Sequence, residues 1–206
     1  MFGWRIGRTW ALGILALVFA CGPCCAWLFD GGEPLGAAAV INKDSTRAAE
    51  PLQFSEDVYA TQFGAALGRA VGEDWMGFHV YLTDSLVDAS DHTIATWKVS
   101  PTGSLAYYYF QPDSPLLLKK NKMYYLMFAR NSDGFWGSIA YSVTQGSYYG
   151  MQSGDSGATW SMMARPLAVR IDGYYVPEPA SFVSLAFGVA MLGAAAWRRR
   201  SRTALG

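Results

Sequence analysis

Between Val40 and Val176 the chain is written in short runs of Val, Ile, Thr and aromatic residues, cut every 8 to 14 residues by Gly, Asp, Asn and Pro. Runs this short do not sustain a helical face, whereas they match strands joined by turn chemistry. In Leu167-Ala168-Val169-Arg170-Ile171-Asp172, the residues Leu167, Val169 and Ile171 share one face while Arg170 and Asp172 share the other, as in a half-buried strand. Phe78-His79-Val80-Tyr81-Leu82 alternates likewise, with Phe78, Val80 and Leu82 inward. Further strands are predicted over Thr93–Val99, Leu105–Phe110, Met123–Ala129 and Phe135–Val143, separated by breakers such as Pro101-Thr102-Gly103 and Asn131-Ser132-Asp133-Gly134. Ala65–Gly72 fits either a loop or a short helical turn. The spacing predicts an all-β domain, an antiparallel β-sandwich.

Composition narrows the partners. The chain has 16 Lys+Arg against 16 Asp+Glu, but Arg5, Arg8, Arg198, Arg199, Arg200 and Arg202 sit at the two ends beside apolar runs. Residues 40–176 keep ten basic and thirteen acidic side chains, a net charge of −3, which argues against a nucleic-acid surface. An apolar content of 51% with 15% aromatics excludes a disordered chain. Cys21, Cys24 and Cys25 all lie near the N-terminus, so the middle has no disulfide framework and must be held by packing.

Both ends read as addresses. Arg5 and Arg8 precede the apolar stretch Trp10–Ala20, the charged and apolar regions of a secretory signal helix. Its cleavage point has three candidates: the A-x-A pattern of Ala37-Ala38-Ala39, the nearer Ala26, and a lipoprotein site at Val18-Phe19-Ala20-Cys21, where Phe19 is bulky for that role. Residues 1–39 are assigned to the signal peptide and processing region, and 40–176 to the extracytoplasmic β-sandwich. At the other end, Val176-Pro177-Glu178-Pro179 leads into the charge-free stretch Phe182–Trp197 and then Arg198-Arg199-Arg200-Ser201-Arg202. A transmembrane helix over 180–197 spans ~27 Å, just short of the ~30 Å hydrocarbon core. The Arg cluster keeps its own side cytoplasmic and puts the middle outside.

The order Pro-Glu-Pro, short apolar helix, Arg cluster over residues 177–206 resembles the PEP-CTERM sorting signal of bacterial exported proteins. The resemblance implies recognition and processing by exosortase, a membrane transpeptidase-like enzyme. Pro177, Glu178 and Pro179 would be the recognition element, and Arg198, Arg199 and Arg200 the stop-transfer cluster. Three further stretches resemble the choice-of-anchor β-sandwich modules found ahead of such anchors. They are Gln62-Phe63 before the strand Gly77–Leu82; Leu118-Lys119-Lys120-Asn121-Lys122-Met123-Tyr124-Tyr125-Leu126; and Trp160 followed by Leu167–Gly173. Asn121-Lys122 stands where that group has a Gly-Thr turn. The resemblance implies a jelly-roll-like fold and no established activity.

Candidate chemistry is sparse. Gly154-Asp155-Ser156-Gly157 matches the tetrapeptide around a trypsin-like nucleophile, with His79 and His92 upstream, but neither His has that family's sequence context and Ala158 replaces a Gly. A polar hairpin loop is expected there. Asp84, Asp88 and Asp91 share a turn-rich segment without EF-hand spacing, and read as solvated loop acids rather than a Ca²⁺ site. No metal and no cofactor are expected. In Tyr107-Tyr108-Tyr109-Phe110, Tyr107 and Tyr109 must face opposite to Tyr108 and Phe110, so half of the cluster points away from the core. With Trp136 and Trp160 these rings could stack on sugar faces, although burial at the rim of a sandwich or plain cross-strand Tyr pairing is the stronger explanation of the run.

The expectation is therefore an exported, non-enzymatic surface or extracellular-matrix protein. It is anchored in the inner membrane with its β-domain outside until exosortase processes it, and then resides at the cell surface or outside the cell. A carbohydrate-binding module acting on exopolysaccharide is the alternative, and a hydrolase the third reading.

Overall fold

A computed structural model of the chain describes residues 26–87, 91–143, 149–176, 187–188 and 190–192. The chain forms two units, Met1–Tyr174 and Tyr175–Gly206. Among the described residues thirteen strands build two sheets. One runs in the order β1 (Ala26–Asp30), β13 (Val169–Tyr175), β4 (Val58–Val71), β10 (Trp136–Ser142), β2 (Pro34–Ile41), with β7 (Ala106–Phe110) and β8 (Leu116–Leu118) also paired to β4. The other runs β12 (Ser161–Met162), β11 (Met151–Ser153), β3 (Arg47–Gln53), β9 (Met123–Arg130), β5 (Phe78–Thr83), β6 (Thr93–Val99). We refer to these as the seven-stranded and six-stranded sheets.

The inward set predicted from alternation is the observed core. Phe78, Val80 and Leu82 on β5 are buried, as are Val169 and Ile171 on β13 and Leu167 just before it, in one cluster drawn from both sheets. Interleaved with them are Phe63, Phe128, Phe135 and Ile139, all fully buried. Phe135 meets Phe78 edge to face at 4.9 Å, the offset geometry that ring quadrupoles favour. The split of the aromatic run also holds. Phe110 is buried and stacks with Phe63 while Tyr108 packs on the core, whereas Tyr109 on the other face is 44% exposed.

Ala65–Gly72 is neither loop nor helical turn: its first seven residues are the second half of the fourteen-residue β4. Its small residues have a structural use. Tyr109 covers Gly64, with ring carbons 2.7 Å from where a Cβ would stand, and Ala66 lies buried in a small outer cluster with Ala140 and Ala168 under Leu105 and Tyr107. The segment is thus a strand because larger side chains from other strands supply its packing.

Two other elements go beyond the alternation pattern. β3 carries Ala48, Ala49, Glu50 and Pro51, poor strand formers, yet it pairs with β9 from Ala48 to Gln53. Among the described residues β11 covers only Arg47–Ala49, so from Glu50 onward no described strand pairs with β3 on that side, where a proline is tolerated. Asn121 adopts φ 58°, the left-handed conformation usual for glycine, so this residue turns the chain into β9 where the resembling modules have Gly-Thr.

β1 and all of β2 but its last two residues lie within the segment 1–39 assigned from sequence to the signal and processing region. Of the predicted signal helix before Ala26 nothing falls among the described residues. The predicted transmembrane helix over 180–197 is described only at 187–188 and 190–192, which are helical, with Phe187, Met191 and Leu192 exposed. Among the described residues no helix is long and apolar enough to cross a membrane.

Candidate functional site

A cavity of about 550 Å³ opens on the outer face of the six-stranded sheet. Strands β3, β9 and β5 put Arg47, Met127 and Tyr81 on its floor; this follows from register, since Ala49 and Tyr81 both pair with Met127 and their parity is opposite to that of the core residues Ala48, Val80 and Phe128. Leu86 and Val87 form one wall, and Asp155, Ser156, Gly157 and Ala158 the other. The lining therefore joins an aromatic ring and apolar surface to a guanidinium and a loop rich in backbone polar groups. Arg47 is steadied by a 2.8 Å bond from Nη1 to the Asp44 carbonyl. Tyr81 is fixed by its hydroxyl, 3.2 Å from Nδ1 of His79. His79 lies on the outward face, as alternation predicts, and its partial burial, with the charges of Lys98 and Arg47, lowers its pKa.

The wall that contains the nucleophile lookalike is a self-bonded loop. Asp155 accepts from the Thr159 hydroxyl at 2.6 Å, the Thr159 backbone N–H at 2.9 Å and the Ser153 hydroxyl at 2.7 Å. Those bonds, the Thr159 hydroxyl foremost, pull its pKa down to about 2. Ser156 takes a left-handed φ of 64° and donates its N–H to the Ser45 carbonyl. Among the described residues no hydrogen bond joins Ser156 to a histidine: His79 is bound to Tyr81, and His92 to Asp84 at 3.0 Å. Asp155 holds a turn, and the tetrapeptide shapes a cavity wall.

Asp84 of the acidic segment is engaged by Lys122 and His92, the Lys122 bond being the main cause of its lowered pKa. Asp88 lies outside the described residues. Among the described residues no three His, Cys, Asp or Glu side chains gather as a metal would require.

The four aromatics singled out from sequence fall in three places. Tyr107 and Tyr109 are brought together on the outer face of the seven-stranded sheet, rings 6.0 Å apart and 20° from parallel. Tyr107 is also built into the fold. Its hydroxyl donates 2.5 Å to the Gly32 carbonyl, and the Arg170 guanidinium sits over its ring at 4.2 Å. Burial pushes its phenol up to about 12. Tyr109 offers the more open ring. Trp136, 49% exposed, stands at the start of β10, four residues and so roughly 13 Å along the strand from the Ala140 that lies under Tyr107. Trp160 packs by the cavity loop, its Nε1 donating 3.0 Å to the Gly157 carbonyl. Arg47 and Tyr81 were not singled out. The outward parity of Tyr81 was legible in its alternation, whereas nothing local marks Arg47.

At the far end of the chain, the family model of the PEP-CTERM protein-sorting motif matches residues 176–200. The chain carries a PEP-CTERM sorting signal. Pro177, Glu178, Pro179, Arg198, Arg199 and Arg200 all fall inside the matched stretch, and all lie outside the described residues. The motif marks an exported protein sorted through the membrane and processed by exosortase. No curated protein matches the chain.

Proposed function

We propose that this protein is a non-catalytic surface or extracellular-matrix component, its β-sandwich presented outside the cell after the PEP-CTERM signal has been processed. The single observation that carries the reading is the sorting motif over residues 176–200, preceded directly by a two-sheet domain. The absence of cysteine from residues 26–176 suits a module held by packing alone. The non-catalytic part draws support from the loop around Ser156, where Asp155 is committed to turn bonds and both histidines to other partners. The test is to replace Pro177-Glu178-Pro179 by alanines in a tagged chain in a host that carries exosortase. Accumulation of an unprocessed, membrane-associated form is expected. Processing and release equal to the parent would remove the main support.

A second reading, binding of exopolysaccharide, is favoured by one observation: the cavity sets an aromatic ring and a guanidinium beside backbone polar groups, a combination that suits a sugar's apolar face and hydroxyls. Glycan-array binding that survives Tyr107→Ala and Tyr109→Ala but falls with Tyr81→Ala would locate it in the cavity. Silence of the parent chain on the array counts against it. A hydrolase stays third, with no acid/base pair among the described residues to support it.

A further inference from the structure

The segment from Ala26 to Ile41 contains one of the candidate leader-cleavage patterns, Ala37-Ala38-Ala39, and also the first two strands of the fold. Both cannot be used. β1 pairs with β13 from Ala26 opposite Gly173 to Asp30 opposite Arg170, and Leu28 and Phe29 pack on the main core. The turn that follows is fitted closely: Gly31 donates 2.7 Å to the Val169 carbonyl, where a Cβ would meet backbone atoms of Val169 at 2.7–2.8 Å. Gly32, at φ 82°, donates to Asp30 Oδ1. β2 then pairs with β10, Pro34 opposite Ser142, Ala37 opposite Ala140, Ala39 opposite Ile139 and Ile41 opposite Gly137. Ala39 and Ile41 are buried in the core.

The same segment anchors the outer face. Asp30 and Glu33 bind Arg170 at 2.9 and 3.0 Å, and the Gly32 carbonyl takes the Tyr107 hydroxyl. Cleavage after Ala39 would remove all of β1, all of β2 except its last two residues, both of these carboxylates and the Tyr107 acceptor. It would leave the outer backbone of β10 as a bare edge and uncover the core beneath Leu28 and Phe29.

We propose that residues 26–41 stay in the mature module, with the leader removed upstream of Ala26 and the Ala37-Ala38-Ala39 bonds left intact. The inference rests on the export reading above for the existence of a leader. The step is hydrolysis: water adds across one peptide bond, leaving a carboxylate on the leader and a new α-amino terminus on the module.

The test uses the full chain, expressed with its own N-terminus in an exporting bacterial host, with the first residue of the extracytoplasmic form read by mass spectrometry. A terminus between Cys21 and Ala26 is expected, lipid-modified if at Cys21. A terminus at Trp27 or any later residue, Val40 after the A-x-A pattern included, or an extracytoplasmic chain that keeps Met1, would overturn the proposal. If the chain is found only in the cytoplasm, the export reading fails, and a second measurement decides the remainder. Limited digestion of the purified full chain by a non-specific protease should leave a resistant core beginning at or before Ala26, and a core beginning after Ile41 overturns the assignment.

Discussion

Glu50 Oε2 accepts a 2.7 Å hydrogen bond from the backbone N–H of Leu167, a contact 117 residues apart in sequence that crosses the interior between the two sheets. Glu50 is 1% exposed, and its other oxygen, Oε1, has no hydrogen-bond partner among the described residues. A carboxylate is costly in such a place, so burial raises its pKa from the ordinary 4.5 to about 8, against the lowering effect of the Leu167 bond. Burial thus favours the neutral carboxylic acid over the carboxylate.

The stability consequence has a definite sign. A folded pKa above the unfolded one means that the folded state holds the proton more tightly. The contribution of Glu50 is full below about pH 4.5, declines as the pH rises, and is lost above about 8. Each unit of difference is worth about 1.4 kcal/mol, so the loss is on the order of a few kcal/mol. Urea midpoints measured at pH 5 and pH 8.5 should differ less in Glu50→Gln than in the parent, with the variant the more stable of the two at the higher pH. Parallel profiles in the two proteins would contradict the burial account.

Tyr107→Phe removes the hydroxyl that reaches Gly32 but keeps the ring under Arg170. The expected loss is about 1 kcal/mol, the net worth of a typical hydrogen bond. Arg170→Ala also removes the ring contact and the bonds to Asp30 and Glu33, and should cost roughly 1–2 kcal/mol, limited by the exposure of both carboxylates. In a double-mutant cycle read by thermal unfolding, the two losses should be less than additive because both act on the same segment.

Gly137 faces the core between aromatic rings, and a Cβ there would clash with Phe78 and Phe135. Neither ring can yield without disturbing their 4.9 Å edge-to-face contact. Gly137→Ala should lower stability by about 1–3 kcal/mol, the usual cost of overpacking, with the denaturant slope unchanged.

The Asp155 turn has its own titration. Because Thr159 and Ser153 hold the carboxylate, its contribution to loop order is present above the ordinary 3.8 and is lost as the pH falls through about 2. The Thr159 amide resonance should therefore titrate with a midpoint near pH 2, and Asp155→Ala should abolish that transition. The same variant should loosen the wall beside Ser156, seen as faster amide exchange at Gly157 at neutral pH, since Gly157 donates to the Ser153 hydroxyl that Asp155 orients.

The strands that could be read in advance were those in which the pattern itself encloses the information. Phe78–Leu82 and Leu167–Asp172 alternate over consecutive residues, so their buried faces are legible without a partner. β3 could not be read this way, because Ala48, Glu50 and Pro51 are strand residues only by virtue of β9 alongside. The sites divide similarly. The outward placement of Tyr107 and Tyr109 follows from parity, but Gly32 and Arg170, which hold Tyr107, come from segments 75 and 63 residues away. The cavity draws on β3, β5, β6, β9 and two loops, and no local motif announces such a convergence.

What the sequence by itself determined is the local chemistry: an all-β middle, and an end whose Pro-Glu-Pro, apolar stretch and arginines form a sorting signal within about thirty residues. These survive without a fold because neighbouring residues are sufficient to specify them. Only the tertiary structure decided that Ala26–Ile41 completes the sandwich, that Glu50 is enclosed where burial raises its pKa, and that Ser156 lies in a turn held by Asp155 and tied to the Ser45 carbonyl. Each of those depends on side chains and strands that meet across the sheets, and burial, which sets the energy of every such group, is a property of the assembled chain.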